Sequence, residues 1–238
     1  MWLRGVDVSK FQGRVDWHAV AESDIAFAYI REGESNWQTP DDRWVENWKG
    51  AHDAGVPCGP YHPPHSGASG RDQARILRDR CADWTIGRDL RPAIDLEVTG
   101  RYILHVAEEM AEEILGLFGV LPIIYTGSFF ADGIGLDRSS ILARCPLWIA
   151  AYTAPGLPRL PKAWDRWTSW QWTGNGRCAG IAMEVDLDAV RTAEDLAELY
   201  GAPPPTLRSA EPPRATADDP APLTTAAQNA QESTPCPR

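Results

Sequence analysis

The chain is organised around one segment, Arg91-Pro92-Ala93-Ile94-Asp95-Leu96-Glu97. Apolar residues alternate with other residues here, Pro92 stands near the beginning and Gly100 closes the segment, which predicts a β-strand. Side chains two residues apart on a strand point the same way, so Asp95 and Glu97 are expected on one face. Their Cα atoms would lie roughly 6.6 Å apart, at about 3.3 Å per residue. The segment therefore predicts a strand that carries two carboxyl groups on one side.

Two carboxyl groups at this separation change each other's protonation. Like charges raise one of the two pKa values, so that one group stays protonated while the other is ionised. Glycoside hydrolysis needs such a pair, because an acid must protonate the leaving oxygen while an anion stabilises the oxocarbenium-like centre. The alternative is a strand that ends at solvent with two exposed acids. The short D-x-E pattern alone does not decide between these interpretations.

The rest of the chain alternates between predicted strands and predicted helices. Strands are expected at residues 3–8, 25–31, 56–61, 91–97, 121–125, 146–151, 167–172 and 184–187. Helices are expected at residues 16–22, 41–54, 69–84, 102–118 and 192–200, and the connections between the last three strands are short and poor in helix. This alternation implies a parallel sheet. The predicted fold is an α/β, TIM-like barrel with eight strands and reduced helices after the last three strands.

A barrel of this type has its active site at the carboxyl ends of its strands. Polar or amphipathic residues stand at or just past predicted strand ends at seven positions, Asp7, Tyr61, Glu97, Tyr125, Tyr152, Gln171 and Asp186. A barrel would bring all of them to one mouth. A purely structural pattern does not predict this coincidence, and we therefore interpret the D-x-E segment as part of an active site.

Composition limits the classes of function. The 238 residues include 43% hydrophobic residues and 11 Trp, which allows a large core, and the net charge is −10. That charge argues against nucleic-acid binding, which depends on Lys and Arg side chains that neutralise phosphates. No segment approaches the roughly 18 apolar residues of a membrane span. The N-terminus lacks the apolar core of a signal peptide. The five Cys show no C-x-x-C spacing, so we expect neither a zinc site nor a disulfide framework.

Residues 201–238 differ from the rest of the chain. They contain no aromatic residue and nine of the 20 Pro. Such a segment cannot bury enough apolar surface to fold on its own. We interpret it as a disordered tail rich in Pro, Ala and Thr that follows a single catalytic barrel at residues 1–200.

Metal binding is the main alternative chemistry. His62 and His65 have a spacing that suits a metal, but Pro63 and Pro64 make the loop extended and no third ligand is evident. The acids at the barrel mouth are an alternative site for a divalent cation, because hard cations favour carboxylates. The same number of carboxyl groups serves sugar chemistry, and we expect no metal and no cofactor.

Several short motifs, in this order and spacing, resemble glycoside hydrolase family 25, the Chalaropsis-type lysozymes. The resemblance covers residues 4 to 200. Its motifs are Gly5-Val6-Asp7-Val8-Ser9 with Gln12-Gly13, Gly59-Pro60-Tyr61-His62, Ile94-Asp95-Leu96-Glu97, Ile124-Tyr125-Thr126, Leu147-Trp148-Ile149-Ala150-Ala151-Tyr152, Trp170-Gln171-Trp172 and Val185-Asp186-Leu187-Asp188.

The resemblance implies hydrolysis of the β-1,4 bond between N-acetylmuramic acid and N-acetylglucosamine in bacterial peptidoglycan. By this likeness Glu97 is the general acid and later the general base. Asp95 would orient the substrate 2-acetamido group or stabilise the charged intermediate, and Asp7 and Asp186 would be flanking acids that tune the site. Sugar rings stack on aromatic faces, although each aromatic residue is alternatively a core residue. The expected substrate-binding residues are Tyr61, Tyr125, Tyr152, Trp170, Gln171 and Arg31.

The chain departs from the family pattern at three places. The second strand ends in Arg31-Glu32-Gly33-Glu34-Ser35, where a Lys-Ala-Thr/Ser-Glu-Gly-like run is usual. Pro63 stands where an aromatic residue is usual, and Asp188 stands where Asn is usual. The expected acids are intact. The departures therefore bear on substrate preference and on the positioning of Glu97.

The resemblance also implies where the protein acts and on what partner. We expect a monomer that binds peptidoglycan glycan strands, binds no nucleic acid and inserts into no membrane. Without a visible signal peptide it would be made in the cytoplasm and act on the bacterial cell wall, as a phage endolysin released through a pore or as an extracellular enzyme. The alternatives are a catalytically silent barrel that binds peptidoglycan or builds a phage or wall assembly, and a hydrolase of another N-acetylated glycan such as chitin.

Overall fold

The computed structural model describes residues 2–34, 36–153 and 156–201, so the predicted tail at residues 202–238 lies outside the described residues. Eight strands of the described chain form a closed barrel in which each strand pairs with the next and β8 pairs with β1. The strands are β1 Leu3–Val8, β2 Ile25–Arg31, β3 Cys58–His62, β4 Ala93–Asp95, β5 Ile123–Gly127, β6 Leu147–Ala150, β7 Ser169–Cys178 and β8 Ile181–Val190. The predicted α/β barrel is confirmed.

Helices cover the outside of the first five strands. They are α1 Trp17–Ala21, α2 Trp44–Ala54, α3 Gly70–Arg80, α4 Ile103–Phe118, α5 Ser128–Ile134 and, after β8, α6 Ala193–Tyr200. Short 3-10 turns occur at Lys10–Gln12, Leu136–Arg138 and Leu142–Arg144. Among the described residues no helix connects β6 to β7 or β7 to β8, which confirms the reduced helices of the last part. None of the described helices has both the length and the apolar character that crossing a membrane requires.

Local signals set several helix ends. The side chains of Asp16, Ser69 and Thr192 accept backbone N–H groups in the first turns of α1, α3 and α6. Each cap satisfies an N–H group that has no partner within its helix. Helices α2 and α4 end at Gly55 and Gly119, which have φ values of 74° and 75°. This left-handed conformation favours glycine because it carries no Cβ.

Tertiary contacts move one helix end away from its predicted position. Helix α3 ends at Arg80 and not at Trp84. The indole N–H of Trp84 donates to the Leu90 carbonyl oxygen at 2.8 Å, and its ring meets Phe118 edge-on at 5.0 Å between ring centroids. These contacts turn the chain inward, so that Trp84 packs into the core and does not continue the helix.

Strand β8 corrects the expectation of a wholly parallel sheet. Strands β1 to β7 run parallel to their sequence neighbours. Strand β8 runs antiparallel to both β7 and β1. Only Ala179 and Gly180 connect β7 to β8, and a connection of two residues forms a hairpin, whereas a parallel pair needs a long crossover. Both strands are also longer than predicted.

The core has an outer and an inner part. The outer part lies between the strands and the helices and includes Trp44, Met110 and Ile114. The inner part fills the barrel with Phe27, Tyr29 and Trp148, and it also includes side chains of α6. Helix α6 therefore closes one end of the barrel, and the carboxyl ends of β1 to β7 form the open end.

Candidate active site

A cavity of about 270 Å³ lies at the open end of the barrel. The residues that line it are Asp7, Ser9, Phe11, Gln12, Arg31, Tyr61, Asp95, Glu97, Tyr125, Trp148, Tyr152, Gln171 and Asp186. The structure thus brings every predicted site residue except Trp170 to one mouth. They come from strands that are far apart in sequence, and the closed barrel is what unites them.

Asp95 and Glu97 reach the cavity from the end of β4. The strand ends at Asp95, two residues earlier than predicted, so Glu97 lies beyond it. The chain stays extended because the Leu96 N–H donates to the Tyr125 carbonyl oxygen at 2.8 Å. Leu96 is buried in the outer core, which leaves both carboxyl groups facing the cavity. Asp95 is buried and Glu97 is exposed.

The protonation of this pair follows from its burial. Burial, together with the charge of Glu97, raises the pKa of Asp95 to about 8, and Arg31 acts in the opposite direction. Desolvation also raises the pKa of Glu97, again with Arg31 opposing it. Oxygen Oδ1 of Asp95 is buried and has no hydrogen-bond partner among the described residues. The pair therefore retains a proton at near-neutral pH, when ordinary carboxyl groups have lost theirs.

Asp186 reaches the same cavity by a route that the sequence did not indicate. It lies within the antiparallel strand β8 and not at a parallel strand end, and it pairs with Asp7 of β1. The antiparallel register therefore brings Asp186 to the level of Asp7 at the mouth. Burial raises the pKa of Asp186 to about 6, with a backbone hydrogen bond acting against this effect and the charge of Glu97 acting with it.

Asp7 is held by a hydrogen-bond chain that crosses the cavity. Oxygen Oδ2 of Asp7 accepts from Gln171 Nε2 at 2.8 Å. Gln171 Oε1 in turn accepts from the hydroxyl groups of Tyr125 at 2.9 Å and Tyr152 at 3.0 Å. The two tyrosines orient the amide so that its NH2 group points at Asp7. Burial, followed by the charge of Asp188, raises the pKa of Asp7 well above its ordinary value.

Comparison with known proteins places these residues in a family. The model of the glycosyl hydrolases of family 25 matches residues 6–181. The chain belongs to glycosyl hydrolase family 25. The family expected from the motifs is thus confirmed, and with it the class of glycoside hydrolases.

Individual relatives agree with the family. The chain is 27% identical to lysozyme M1 of Streptomyces globisporus over 197 residues, which are 77% of this chain and 66% of that protein. It is 28% identical to the autolytic lysozyme of Clostridium acetobutylicum over 190 residues, 78% of this chain and 55% of that protein. The chain therefore spans less than two thirds of the length of these two relatives.

A solved structure supports the same fold. The lysozyme of Streptomyces coelicolor superimposes with a TM-score of 0.75 at 25% sequence identity, covering 84% of this chain and 98% of that one. The catalytic domain of endolysin ply40 from Listeria monocytogenes bacteriophage P40 gives a TM-score of 0.70 at 24% identity, covering 85% and 98%. The second likeness concerns the fold alone.

Trp170 is the one predicted family 25 site residue that the structure does not bring to the cavity. Its side chain is 1% exposed and packs in the outer core, with ring centroids 5.7 Å from Trp2 and 6.0 Å from Trp167. Its indole N–H donates to the Ala151 carbonyl oxygen at 2.7 Å. Neighbours on a strand face opposite sides, so Trp170 faces outward because Gln171 faces the cavity.

Four lining residues were missed by the sequence analysis, namely Ser9, Phe11, Gln12 and Trp148. Three of them belong to the segment after β1, where the quoted family 25 motif already included Ser9 and Gln12. The signal for Trp148 is its alternation with Leu147 and Ile149 on β6. That alternation shows that Trp148 lies on the opposite face of the strand from Leu147 and Ile149, but only the closed barrel shows which of the two faces is inside.

The end of β2, where the sequence departs from the usual family 25 pattern, is held by a network of buried side chains. Arg31 lines the cavity, and its Nε donates to the Gly33 carbonyl oxygen at 2.9 Å. The next residue, Glu32, is buried and binds His62 Nδ1 and the guanidinium of Arg80. His62 Nε2 contacts Gln73 Oε1 at 3.2 Å. This network joins the ends of β2 and β3 to α3, and His62 serves it as a structural residue.

Proposed function

We propose that the protein is a lysozyme that hydrolyses the β-1,4 bond between N-acetylmuramic acid and N-acetylglucosamine in bacterial peptidoglycan. The observation that carries the proposal is the convergence of Asp95 and Glu97 with Asp7 and Asp186 on one cavity, in a member of family 25. Two relatives bear the name lysozyme, which supports peptidoglycan as the substrate.

Glu97 is the general acid on this proposal. It is the more exposed member of the pair, so its carboxyl group is the one that a glycosidic oxygen can approach. Desolvation already raises its pKa, and a bound sugar would remove more water and raise the pKa further. On this proposal the proton that the pair retains passes from Asp95 to Glu97 when the sugar binds. Glu97 gives it to the leaving oxygen and afterwards accepts a proton from the attacking water.

Asp95 binds the substrate and contributes to the charge that stabilises the transition state. It lies buried beside Glu97, and its Oδ1 has no hydrogen-bond partner among the described residues, so it remains available to the substrate. It can bind the 2-acetamido group of the sugar. When Glu97 transfers its proton, the pair gains a negative charge at the moment positive charge develops on the sugar. Such preorganised charge stabilises the transition state more than the ground state.

The other lining residues bind the substrate or orient the acidic groups. Asp7 and Asp186 surround the pair with further carboxyl groups, and Arg31 limits the accumulated negative charge. Tyr152 is 63% exposed, so its ring offers a face on which a sugar can stack. Tyr61 and Tyr125 form the walls, while Gln171 orients Asp7.

On this proposal the partner is the peptidoglycan glycan strand and the place of action is the bacterial cell wall. The outcome of the reaction is wall lysis. The protein acts there as a phage endolysin released through a pore or as an extracellular enzyme, and we expect it to work as a monomer without nucleic acid or membrane insertion. The C-terminal residues 201–238 are expected to be a tail and not part of the catalytic barrel.

The test is product analysis with a matched pair of variants. Purified peptidoglycan is digested with the wild type, with Glu97→Gln and with Glu22→Gln, then reduced and examined by mass spectrometry. Glu22 is exposed at the end of α1, outside the cavity, and controls for the same chemical change. We expect reduced muramic acid ends with the wild type and Glu22→Gln, and a loss of about 100-fold or more with Glu97→Gln.

The other outcomes decide between functions. Full activity of Glu97→Gln would remove Glu97 from the role of acid. New reducing ends that carry N-acetylglucosamine would assign a different bond to the enzyme but would leave it a glycoside hydrolase of peptidoglycan. Cleavage of chitin alone would assign a different substrate. Measurable wall binding without any new reducing end in the wild type would show a silent binding barrel.

A further inference from the structure

Phe11 is a cavity-lining residue that has no role in the mechanism described so far. It lies in the short 3-10 turn Lys10–Gln12 that follows β1, and its side chain is 68% exposed although it lines the cavity. The ring belongs to neither part of the core. An apolar ring left in water gains none of the free energy that burial gives. The stability of the fold therefore does not explain why a phenyl ring lies at the mouth of the barrel.

The backbone that carries Phe11 is anchored by hydrogen bonds. The Ser9 hydroxyl oxygen accepts the Phe11 N–H at 3.3 Å, and the Ser9 N–H donates to Gln12 Oε1 at 2.9 Å. The side chains of Ser9 and Gln12 thus cap the turn reciprocally. Gln12 Nε2 also donates to the Glu184 carbonyl oxygen of β8 at 3.4 Å. One side of the turn is therefore bonded to the barrel itself.

Lys10 holds the other side of the same turn. Its N–H donates to Asp41 Oδ2 at 3.1 Å, in the connection between β2 and α2. Its ammonium group pairs with Glu34 at 2.6 Å and lies 5.7 Å from the centroid of the Phe11 ring. The turn is bonded on both sides, so the ring that it carries is held at the cavity before any ligand binds. Such preorganisation lowers the entropy cost of binding.

Exposed aromatic side chains are confined to one end of the barrel. In the part of the chain that the structure describes they are Phe11, Tyr102, Phe129 and Tyr152. Each of them lies in the segment that follows the carboxyl end of a strand, namely β1, β4, β5 and β6. Two of the four, Phe11 and Tyr152, line the cavity. Because a barrel of this type binds its substrate at this end, the distribution favours a role in binding.

The charge of the cavity indicates what the Phe11 ring contacts. The carboxyl groups that line the cavity are those of Asp7, Asp95, Glu97 and Asp186. A ligand with its own carboxylate, such as a stem peptide, would meet like charges there, which is unfavourable. The N-acetylated sugars of a glycan backbone are neutral, and the apolar C–H face of such a sugar leaves water when it packs on a phenyl ring. Phe11 therefore suits a sugar ring.

We infer that Phe11 is a second sugar-stacking residue, which contacts a different sugar of the glycan strand from the one that Tyr152 contacts. The strands that precede the two residues, β1 and β6, have β7 and β8 between them in the barrel. At about 4.8 Å per strand, their ends lie farther apart than one sugar ring extends. Phe11 therefore makes the cavity prefer a glycan long enough to reach both rings. This inference rests on the proposed function, because Phe11 contacts sugar only if the cavity binds the glycan.

Three substitutions at this position separate stacking from other effects. Phe11→Ala removes the ring, Phe11→Trp keeps a flat aromatic face, and Phe11→Leu keeps apolar volume without that face. Ile86→Ala is the control, because Ile86 is 47% exposed in the connection that leads into β4 and lies outside the cavity. For binding measurements each substitution is combined with Glu97→Gln, so that the glycan is not cleaved while it binds.

The experiment measures Kd for peptide-free glycan strands by isothermal titration calorimetry. Phe11→Ala should weaken binding roughly five- to tenfold and Phe11→Leu roughly threefold or more, whereas Phe11→Trp should stay within about twofold of the parent protein. Ile86→Ala should leave Kd unchanged. Phe11→Ala combined with Tyr152→Ala should lose the product of the two single losses, because residues that contact different sugars act independently.

Two further measurements separate binding from a structural role. In the protein that retains Glu97, Phe11→Ala should raise KM roughly five- to tenfold and leave kcat within about twofold, because the ring contacts a sugar and not the reacting bond. The thermal unfolding midpoint of Phe11→Ala should stay nearly unchanged, because an exposed side chain outside the core contributes little to stability.

Three results would overturn the inference. One is an unchanged Kd in Phe11→Ala. Another is full affinity in Phe11→Leu together with weak binding in Phe11→Trp, which would show that volume matters and a flat face does not. The third is a double variant that binds no more weakly than Tyr152→Ala alone. If the wild type cleaves no peptidoglycan, the proposed function fails, while the calorimetric comparison still shows whether Phe11 binds glycan.

Discussion

At the residue scale, burial distinguishes two carboxyl groups that the sequence presents as equivalent. Asp95 and Glu97 are two positions apart and both face the cavity, yet Asp95 is buried and Glu97 is exposed. The difference arises because β4 ends at Asp95, so that Glu97 lies on the rim. A buried acid is suited to hold a proton or a fixed charge, whereas an acid at the rim is suited to exchange a proton with substrate and water.

The aromatic residues also differ in a way that a pair of variants can test. Tyr152 is 63% exposed at the cavity and Trp170 is 1% exposed in the outer core. Tyr152→Ala should raise KM for glycan fragments roughly three- to tenfold, because a stacking face is lost, and should leave the thermal unfolding midpoint nearly unchanged. Trp170→Phe should lower the free energy of unfolding by roughly 1–3 kcal/mol and leave KM unchanged.

Steady-state kinetics and thermal unfolding on both variants check this prediction. The reverse result, with the KM effect in Trp170→Phe, would show that Trp170 contacts the substrate although it lies in the core. A KM effect in neither variant would remove Tyr152 from the sugar-binding surface.

At the scale of elements, the hairpin of β7 and β8 decides how the site is completed. Gly180 in its turn has a φ value of 85°, and a Cβ at this position would meet the Asp16 carbonyl oxygen at 2.3 Å. The Gly180 carbonyl oxygen also accepts the Asp16 N–H at 2.9 Å. The turn therefore packs against the start of α1, and no side chain fits between them.

Gly180→Ala should destabilise the protein by roughly 2–4 kcal/mol, because strain at positive φ adds to a steric clash with backbone. Gly55→Ala is the matched control. Gly55 has a φ value of 74° in the left-handed region, but no described atom lies within 4 Å of the position that a Cβ would take there, so only the conformational cost of about 1–2 kcal/mol applies. Urea unfolding of both variants measures the difference, and equal losses would show that the clash at Gly180 relaxes without cost.

At the scale of the whole molecule, the acids of the barrel interior make stability depend on pH. The folded-state pKa values of Asp7, Asp95, Asp186 and Asp188 are raised above ordinary values. When folding raises the pKa of a carboxyl group, the group's contribution to stability is fully present at pH values below its unfolded-state pKa. That contribution is lost as the pH rises through the folded-state pKa. For Asp95 the pKa rises from 3.8 to about 8, so the loss extends over that interval.

We therefore expect the free energy of unfolding to fall as pH increases from about 4 to about 8. Asp95→Asn should be as stable as the wild type near pH 4 and more stable by on the order of a few kcal/mol near pH 8, because the amide has no proton to lose. It should at the same time lose catalytic activity. Denaturant unfolding at a series of pH values measures this, and parallel pH curves for the two proteins would contradict the prediction.

The sequence by itself determined the features that depend on local pattern. Alternation over residues 91–97 indicated that Asp95 and Glu97 face the same way, and glycines such as Gly55 and Gly119 indicated where helices end. The number and order of the strands followed from the same periodicities, and the barrel was inferred from that number and order. These features are local because backbone conformation and the alternation of side chains are set by neighbours a few residues apart.

Only the tertiary structure decided which face of each strand is inside and in which direction β8 runs. The pattern around Trp170 and Gln171 shows that they face opposite sides, but closure of the barrel puts Gln171 at the cavity and Trp170 in the outer core. Likewise, the meeting of Asp7 with Asp186 depends on the pairing of β1 with β8, which are far apart in sequence. Such contacts are set by the packing of the whole barrel, because no local periodicity specifies a partner so distant in sequence.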